Sequence, residues 1–152
     1  MKLCVLTEDI DASVMSYAKT VKLPSIVIPH EVAWVGRDKK IFHGGKNKVE
    51  VRVDPSNKNE YVSHTHPADN PSEFTALPSV EDLRSAVEMF KQGFPGVIVF
   101  SGEHFTIVKP RRKNIILLGY EEAVKKAIRK NDIDIALDKL RSMGFDVGIG
   151  KR

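Results

Sequence analysis

The residues with the most evident chemistry are Ser63-His64-Thr65-His66-Pro67 and, further on, Ser79-Val80-Glu81-Asp82. In a strand, residues two apart point to the same face, about 6–7 Å from each other along the backbone. His64 and His66 can therefore send both imidazoles to one cation. Asp82 falls in the first turn of the helix that Ser79 opens, where a carboxylate is electrostatically favoured. If that helix starts beside the strand end, two nitrogens and one oxygen converge and a fourth tetrahedral position is left for water. That is the pattern of a catalytic zinc. A structural zinc takes a fourth protein ligand, and the one cysteine, Cys4, is remote in sequence. Each half also has a plainer reading. A His-x-His pair at a strand end is commonly polar surface. Ser-x-x-Asp before an apolar helix is close to a capping box, in which the serine oxygen satisfies a backbone amide. It is the two together that point to a metal.

The elements that must position these groups can be read from periodicity and turn signals. Asp11 is the expected cap of a helix to about Lys22, with Val14, Ala18 and Val21 on one face and Pro24 just beyond. Ile26–Ile28 and Glu31–Val35 read as strand, interrupted at Pro29. Lys40–His43 and Val49–Val53 read as a hairpin pair, followed by a polar turn over Asp54–Asn59 and a strand over Glu60–His66. Pro67–Pro78 is a proline-rich loop. Ser79 opens a helix to about Gln92, with Val80, Leu83, Val87 and Phe90 at helical spacing and Gly93 ending it. Val97–Phe100 and Phe105–Val108 are strands around a Ser101-Gly102-Glu103 turn, and Ile115–Leu118 is expected as one more. Tyr120–Lys130 and Ile133–Met143 are helices, the second ended by Gly144. Strands interleaved with helices predict an α/β fold, a single domain over residues 1–152 with a mixed β-sheet flanked by helices.

Composition excludes several classes. The chain has 152 residues, 41% apolar and 29% charged, which is one domain with a sizeable core and not a disordered chain. A lone cysteine excludes a disulfide scaffold. The apolar runs are too short for a membrane span or a signal peptide, so a soluble, cytoplasmic protein is expected, with no membrane partner. The formal charge is +4, and Lys109–Lys130 holds eight Lys/Arg against two Glu. That stretch lacks the aromatic interleaving and the recognition motif of a nucleic-acid binder, so nucleic acid is not the expected partner.

His64-Thr65-His66-Pro67, eleven spacer residues, and Ser79-Val80-Glu81-Asp82-Leu83 resemble the signature of the JAMM (MPN+) metalloproteases, in their prokaryotic form. The resemblance runs from about Asp11 to Val108, with the helical stretch of about 119–145 as an extension. The spacer is longer than is usual in the family. The resemblance implies a cytidine-deaminase-like JAMM core and zinc held by His64, His66 and Asp82. It also implies an upstream glutamate. Glu31, in Pro29-His30-Glu31 ahead of Gly36, is favoured over Glu50, which sits among valines and faces outward by alternation. In the implied mechanism zinc lowers the pKa of its bound water. Glu31 then takes that water's proton and delivers it to the leaving amine, and Ser79 hydrogen-bonds the oxyanion. The implied activity is hydrolysis of a peptide or isopeptide bond in a protein or peptide substrate, ubiquitin-like tails among them.

Other residues carry less. His30 and His43 lack a metal partner at useful spacing and read as surface or hydrogen-bonded histidines. His104 lies in a turn and is a candidate to support the metal ligands from behind, and Trp34 reads as core in preference to a substrate platform. Phe74, an aromatic in the proline-rich loop, is a candidate for contact with an extended peptide, with local packing as the alternative. Lys109-Pro110-Arg111-Arg112-Lys113 reads as a solvated connector. Two rival functions stand beside the peptidase: a catalytically silent interaction module, and a basic nucleic-acid-associated domain.

Overall fold

The computed structural model describes residues 10–23, 31–36, 42–43 and 60–152. Cys4, the expected strand at Ile26–Ile28, His30, the Val49–Val53 arm of the hairpin with Glu50, and the turn at Asp54–Asn59 lie outside the described residues. Within them, helix α1 (Ala12–Thr20) precedes strands β1 (Val32–Val35), β2 (Phe42–His43) and β3 (Val62–Thr65). Helix α2 (Val80–Lys91), strands β4 (Val97–Ser101) and β5 (His104–Pro110), helices α3 (Tyr120–Lys130) and α4 (Ile133–Met143) and strand β6 (Phe145–Lys151) follow. The strands form one mixed sheet in the order β2-β1-β3-β4-β5-β6, an α/β architecture. Among the described strands only β3 and β4 run parallel, because α2 carries the chain from one to the other; the remaining described pairs are antiparallel.

Alternation along the strands assigns the two faces. Trp34, Ile98, Phe100, Phe105 and Ile107 point to α1, whose Val14 and Ala18, with Val21 just past its end, pack against them. Val35, Val62, Val97, Val99, Val108, Phe145 and Val147 point the other way, under α2, α3 and α4. Trp34 is core, as expected: its ring stacks on Phe100 at 5.6 Å and its Nε1 donates to Tyr17 Oη at 2.8 Å.

Two sequence expectations need correction, and one strand was not foreseen. Ile115–Leu118 is not a strand. β5 already has β4 on one side and β6 on the other, so no edge is left for it, and Ile116 and Leu118 stand exposed. The strand not foreseen is β6, which follows the helical stretch of about 119–145 and pairs with β5 along its whole length. Its alternation was masked by glycine, which is normally poor in strands. Gly150 sits there because Phe105 crosses it: a Cβ at that position would lie 2.4 Å from Phe105 Cζ. Finally, the basic connector is not idle. Lys109 and Pro110 belong to β5, and the Arg111 and Arg112 guanidiniums donate to the Arg141 and Met143 carbonyls at the end of α4. No described helix is long and apolar enough to cross a membrane.

Candidate metal centre

The parallel β3–α2–β4 unit builds the site at the carboxyl end of β3, where ligands commonly bind in open α/β sheets. His64 shares the α2-facing side of β3 with Val62. His66 lies one residue beyond the strand, its N–H donating to the Phe100 carbonyl at 2.8 Å, so it stays in line with His64. Pro67 then ends the ladder, having no N–H to give.

Asp82 arrives from α2. Ser79 Oγ accepts from the Asp82 N–H at 3.1 Å, and the Ser79 N–H donates to Asp82 Oδ2 at 2.8 Å. The capping box read in the sequence is therefore complete. It also aims the carboxylate across the turn at the histidines. His64 Nε2 and His66 Nε2 lie 3.2 Å apart; Asp82 Oδ2 is 2.9 Å from His66 Nε2, and Oδ1 is 3.1 Å from His64 Nε2. These three side chains form a group able to hold a metal ion, found among the described residues.

The tautomer of His66 follows from its other nitrogen. Nδ1 is 3.0 Å from the Thr75 carbonyl, which can only accept. Nδ1 therefore carries a proton, and Nε2 is the atom that can present a lone pair to a metal. Burial opposes charge on His66, but the Asp82 carboxylate, the Thr75 carbonyl and Glu31 outweigh it and raise its pKa. Burial opposes the Asp82 charge too. The hydrogen bonds and fields of His64 and His66 prevail and hold its carboxyl well below the usual carboxylate range. With His66 protonated the group is an ion pair, whose place a divalent cation could take.

Glu31 stands just ahead of β1. Continuing the β1–β3 register two residues past the Ala33–His64 pair sets Glu31 opposite His66, on the face that carries both histidines. Glu31 is 8% exposed. Burial raises its pKa, the fields of His64 and His66 pull it back, and Asp82 adds to the rise. β1 is locked beside β3 by Thr65, whose Oγ1 accepts from the Val32 N–H at 3.1 Å.

Phe74 packs half-buried against the core under α2, the local-packing alternative weighed for it. His104 begins β5 opposite Ser101. The backbone of His43 pairs with Val32 at the β1 edge. Sequence reasoning passed over Thr75, Ser101 and Tyr120. Tyr120, fully buried at the start of α3, donates its hydroxyl to the Pro78 carbonyl at 2.7 Å and so ties α3 to the residue before the Ser79 cap. The Ser72-x-x-Thr75 spacing was the available signal for Thr75, because serine and threonine hydroxyls close local turns. The chain matches no protein-family model, no curated protein and no solved structure.

Proposed function

We propose that this chain is a zinc-dependent amide hydrolase of the JAMM type, cutting a peptide or isopeptide bond in a protein or peptide substrate, with ubiquitin-like tails as the first class to try. The observation that carries this reading is the convergence of donor atoms: His64 Nε2 and His66 Nε2 stand 3.2 Å apart, and the Asp82 carboxylate reaches them with Oδ1 at 3.1 Å and Oδ2 at 2.9 Å. Donors on a tetrahedral zinc with bonds of about 2.0–2.1 Å stand roughly 3.3 Å apart. The two imidazoles favour zinc over magnesium or calcium, which take oxygen ligands. Zinc held there would acidify a water and polarise the scissile carbonyl.

The remaining steps belong to the protein. Glu31, buried beside the histidines with its pKa raised, is suited to take a proton from the attacking water and return it to the leaving nitrogen. Ser79 Oγ accepts the Asp82 amide in its cap, and its own proton remains free to donate to a developing oxyanion. Asp82 keeps its charge through the histidines and its aim through the Ser79 amide.

The test is zinc content and cleavage together. Protein purified without added metal should carry about one zinc per chain by elemental analysis. It should also cleave at least one member of a panel of fluorogenic peptide amides and ε-linked lysine isopeptides, and a chelator should stop it. Zinc retained with no cleavage across the panel would assign the chain to a silent interaction module.

A further inference from the structure

The long loop between Pro67 and Pro78 makes the contact that orients His66, since the Thr75 carbonyl accepts from His66 Nδ1. What holds Thr75 is a hydroxyl network. Thr75 Oγ1 accepts from the Ser72 N–H at 2.8 Å, donates to the Ser72 carbonyl at 3.0 Å, and lies 2.7 Å from Ser101 Oγ. A hydroxyl has one proton and two lone pairs. The Thr75 proton goes to Ser72, so the Ser101 hydroxyl must be the donor to Thr75. Ser101 is 1% exposed at the end of β4, next to Phe100, whose carbonyl holds the His66 N–H. The loop is seated a second time on the β4–β5 turn. Gly102 has φ +56°, and a Cβ there would fall 2.5 Å from Pro71 Cβ. His66 is thus gripped from two sides, by backbone from β4 and by a loop carbonyl that β4 also anchors.

We infer that Ser101 and Thr75 are positioning residues for the metal centre: the Ser101 hydroxyl seats the loop so that the Thr75 carbonyl fixes the ring and tautomer of His66. This deepens the zinc-site reading and rests on it. Groups that orient a ligand histidine typically change metal affinity by about 10–100-fold when removed.

The experiment is a cobalt(II) titration read by visible absorption, with the His66 Nδ1–H proton followed by NMR in the metal-free protein. Thr75→Val and Ser101→Ala remove one hydroxyl each, and Thr75→Ser restores it. The expected result is cobalt affinity lower by about tenfold or more in Thr75→Val and Ser101→Ala, with altered absorption, a weakened Nδ1–H signal, and near wild-type behaviour in Thr75→Ser. The double variant should be little worse than either single one, because the two hydroxyls act through one contact. Folded variants that bind cobalt with wild-type affinity and absorption overturn the inference and leave the zinc site standing. If Ser101→Ala does not fold, half-buried Thr75→Val decides. If the wild type binds no cobalt, the zinc-site reading fails. The Nδ1–H signal then judges the positioning role alone, and its persistence in Thr75→Val overturns it.

Discussion

Two clusters of charge among the described residues are built on opposite principles. At the end of α4, donors meet acceptors. Arg111 reaches Asp146 Oδ1 at 3.2 Å and the Arg141 carbonyl at 2.6 Å, and Arg112 reaches the Met143 carbonyl at 2.7 Å. At the end of β3, two imidazole nitrogens and a carboxylate converge on one point, and only protons or a cation can relieve them. The first arrangement is complete in itself and serves stability. The second is complete only with something added. Convergence, more than the amount of charge, is what marks a ligand site, and it is why the basic stretch is the weaker functional candidate.

The largest effect should come from removing the convergence. His64→Ala/His66→Ala should lower zinc affinity by orders of magnitude and abolish the rise in melting temperature that zinc gives the wild type. That rise corresponds to about 2.7 kcal/mol at a zinc concentration one hundred times Kd. Arg111→Ala/Arg112→Ala should leave zinc binding as it was. Stoichiometric zinc in the histidine variant, measured by elemental analysis, would refute the ligand set.

Next in size is the glutamate beside the cluster. Glu31→Gln keeps the shape and removes the basic carboxylate. Hydrolysis should fall by about 10²-fold or more in kcat while zinc stays bound and the fold intact. An active Glu31→Gln enzyme would move the role elsewhere, with Glu50→Gln as the variant to make next.

A smaller effect separates the two charge clusters by pH. In the metal-free protein the raised His66 pKa adds stability that is full below the ordinary value of 6.5 and is lost as pH rises through the folded value. The depressed Asp82 pKa adds stability that is present above the ordinary value of 3.8 and is lost as pH falls through the folded value. The pair therefore steadies the metal-free protein in mild acid. Zinc needs His66 without its second proton, so the stabilisation by zinc should grow from about pH 5.5 to about pH 8. Melting curves with and without zinc at the two pH values measure it. A zinc effect that is flat or stronger in acid would speak against histidine ligation.

Much of this site was legible because its parts are local. His64 and His66 are two apart on one strand, and Ser79 and Asp82 are three apart across a helix start, so strand and helix geometry alone bring each pair together. The helices after Gly119 were legible for the same reason. What escaped depends on distant neighbours. Nothing near Ser101 says that its hydroxyl will meet Thr75. Nothing near Ile115–Leu118 says that β6 will occupy the strand position beside β5, and β6 itself was hidden by glycines that distant side chains explain, Met15 and Ile10 over Gly148 and the ring of Phe105 over Gly150. The placement of Glu31 lies between these cases. Its strand was readable, but its seat opposite His66 comes from a register that no local signal sets.

The smallest expected effect tests the self-contained cluster. Arg112 lies over Gly144, which ends α4 at φ +122°, and its Nη2 donates to the Met143 carbonyl in the last turn. A cation there satisfies an orphan acceptor and opposes the negative end of the helix. Because the group is exposed to solvent, the loss in Arg112→Ala should be modest, about 0.5–1 kcal/mol, or roughly 1–4 °C in melting temperature for a chain of this size. Arg112→Lys should recover only part of it, since an ammonium supplies the charge but not the planar fork that also reaches the Asn114 carbonyl through Nε. Zinc affinity should not move in either variant. A change in zinc affinity as large as the change in stability would mean that α4 and the metal centre are mechanically coupled, through Tyr120 and the Pro78 carbonyl that leads into the Ser79 cap. The contrast between the two clusters would then be one of chemistry alone and not of independence.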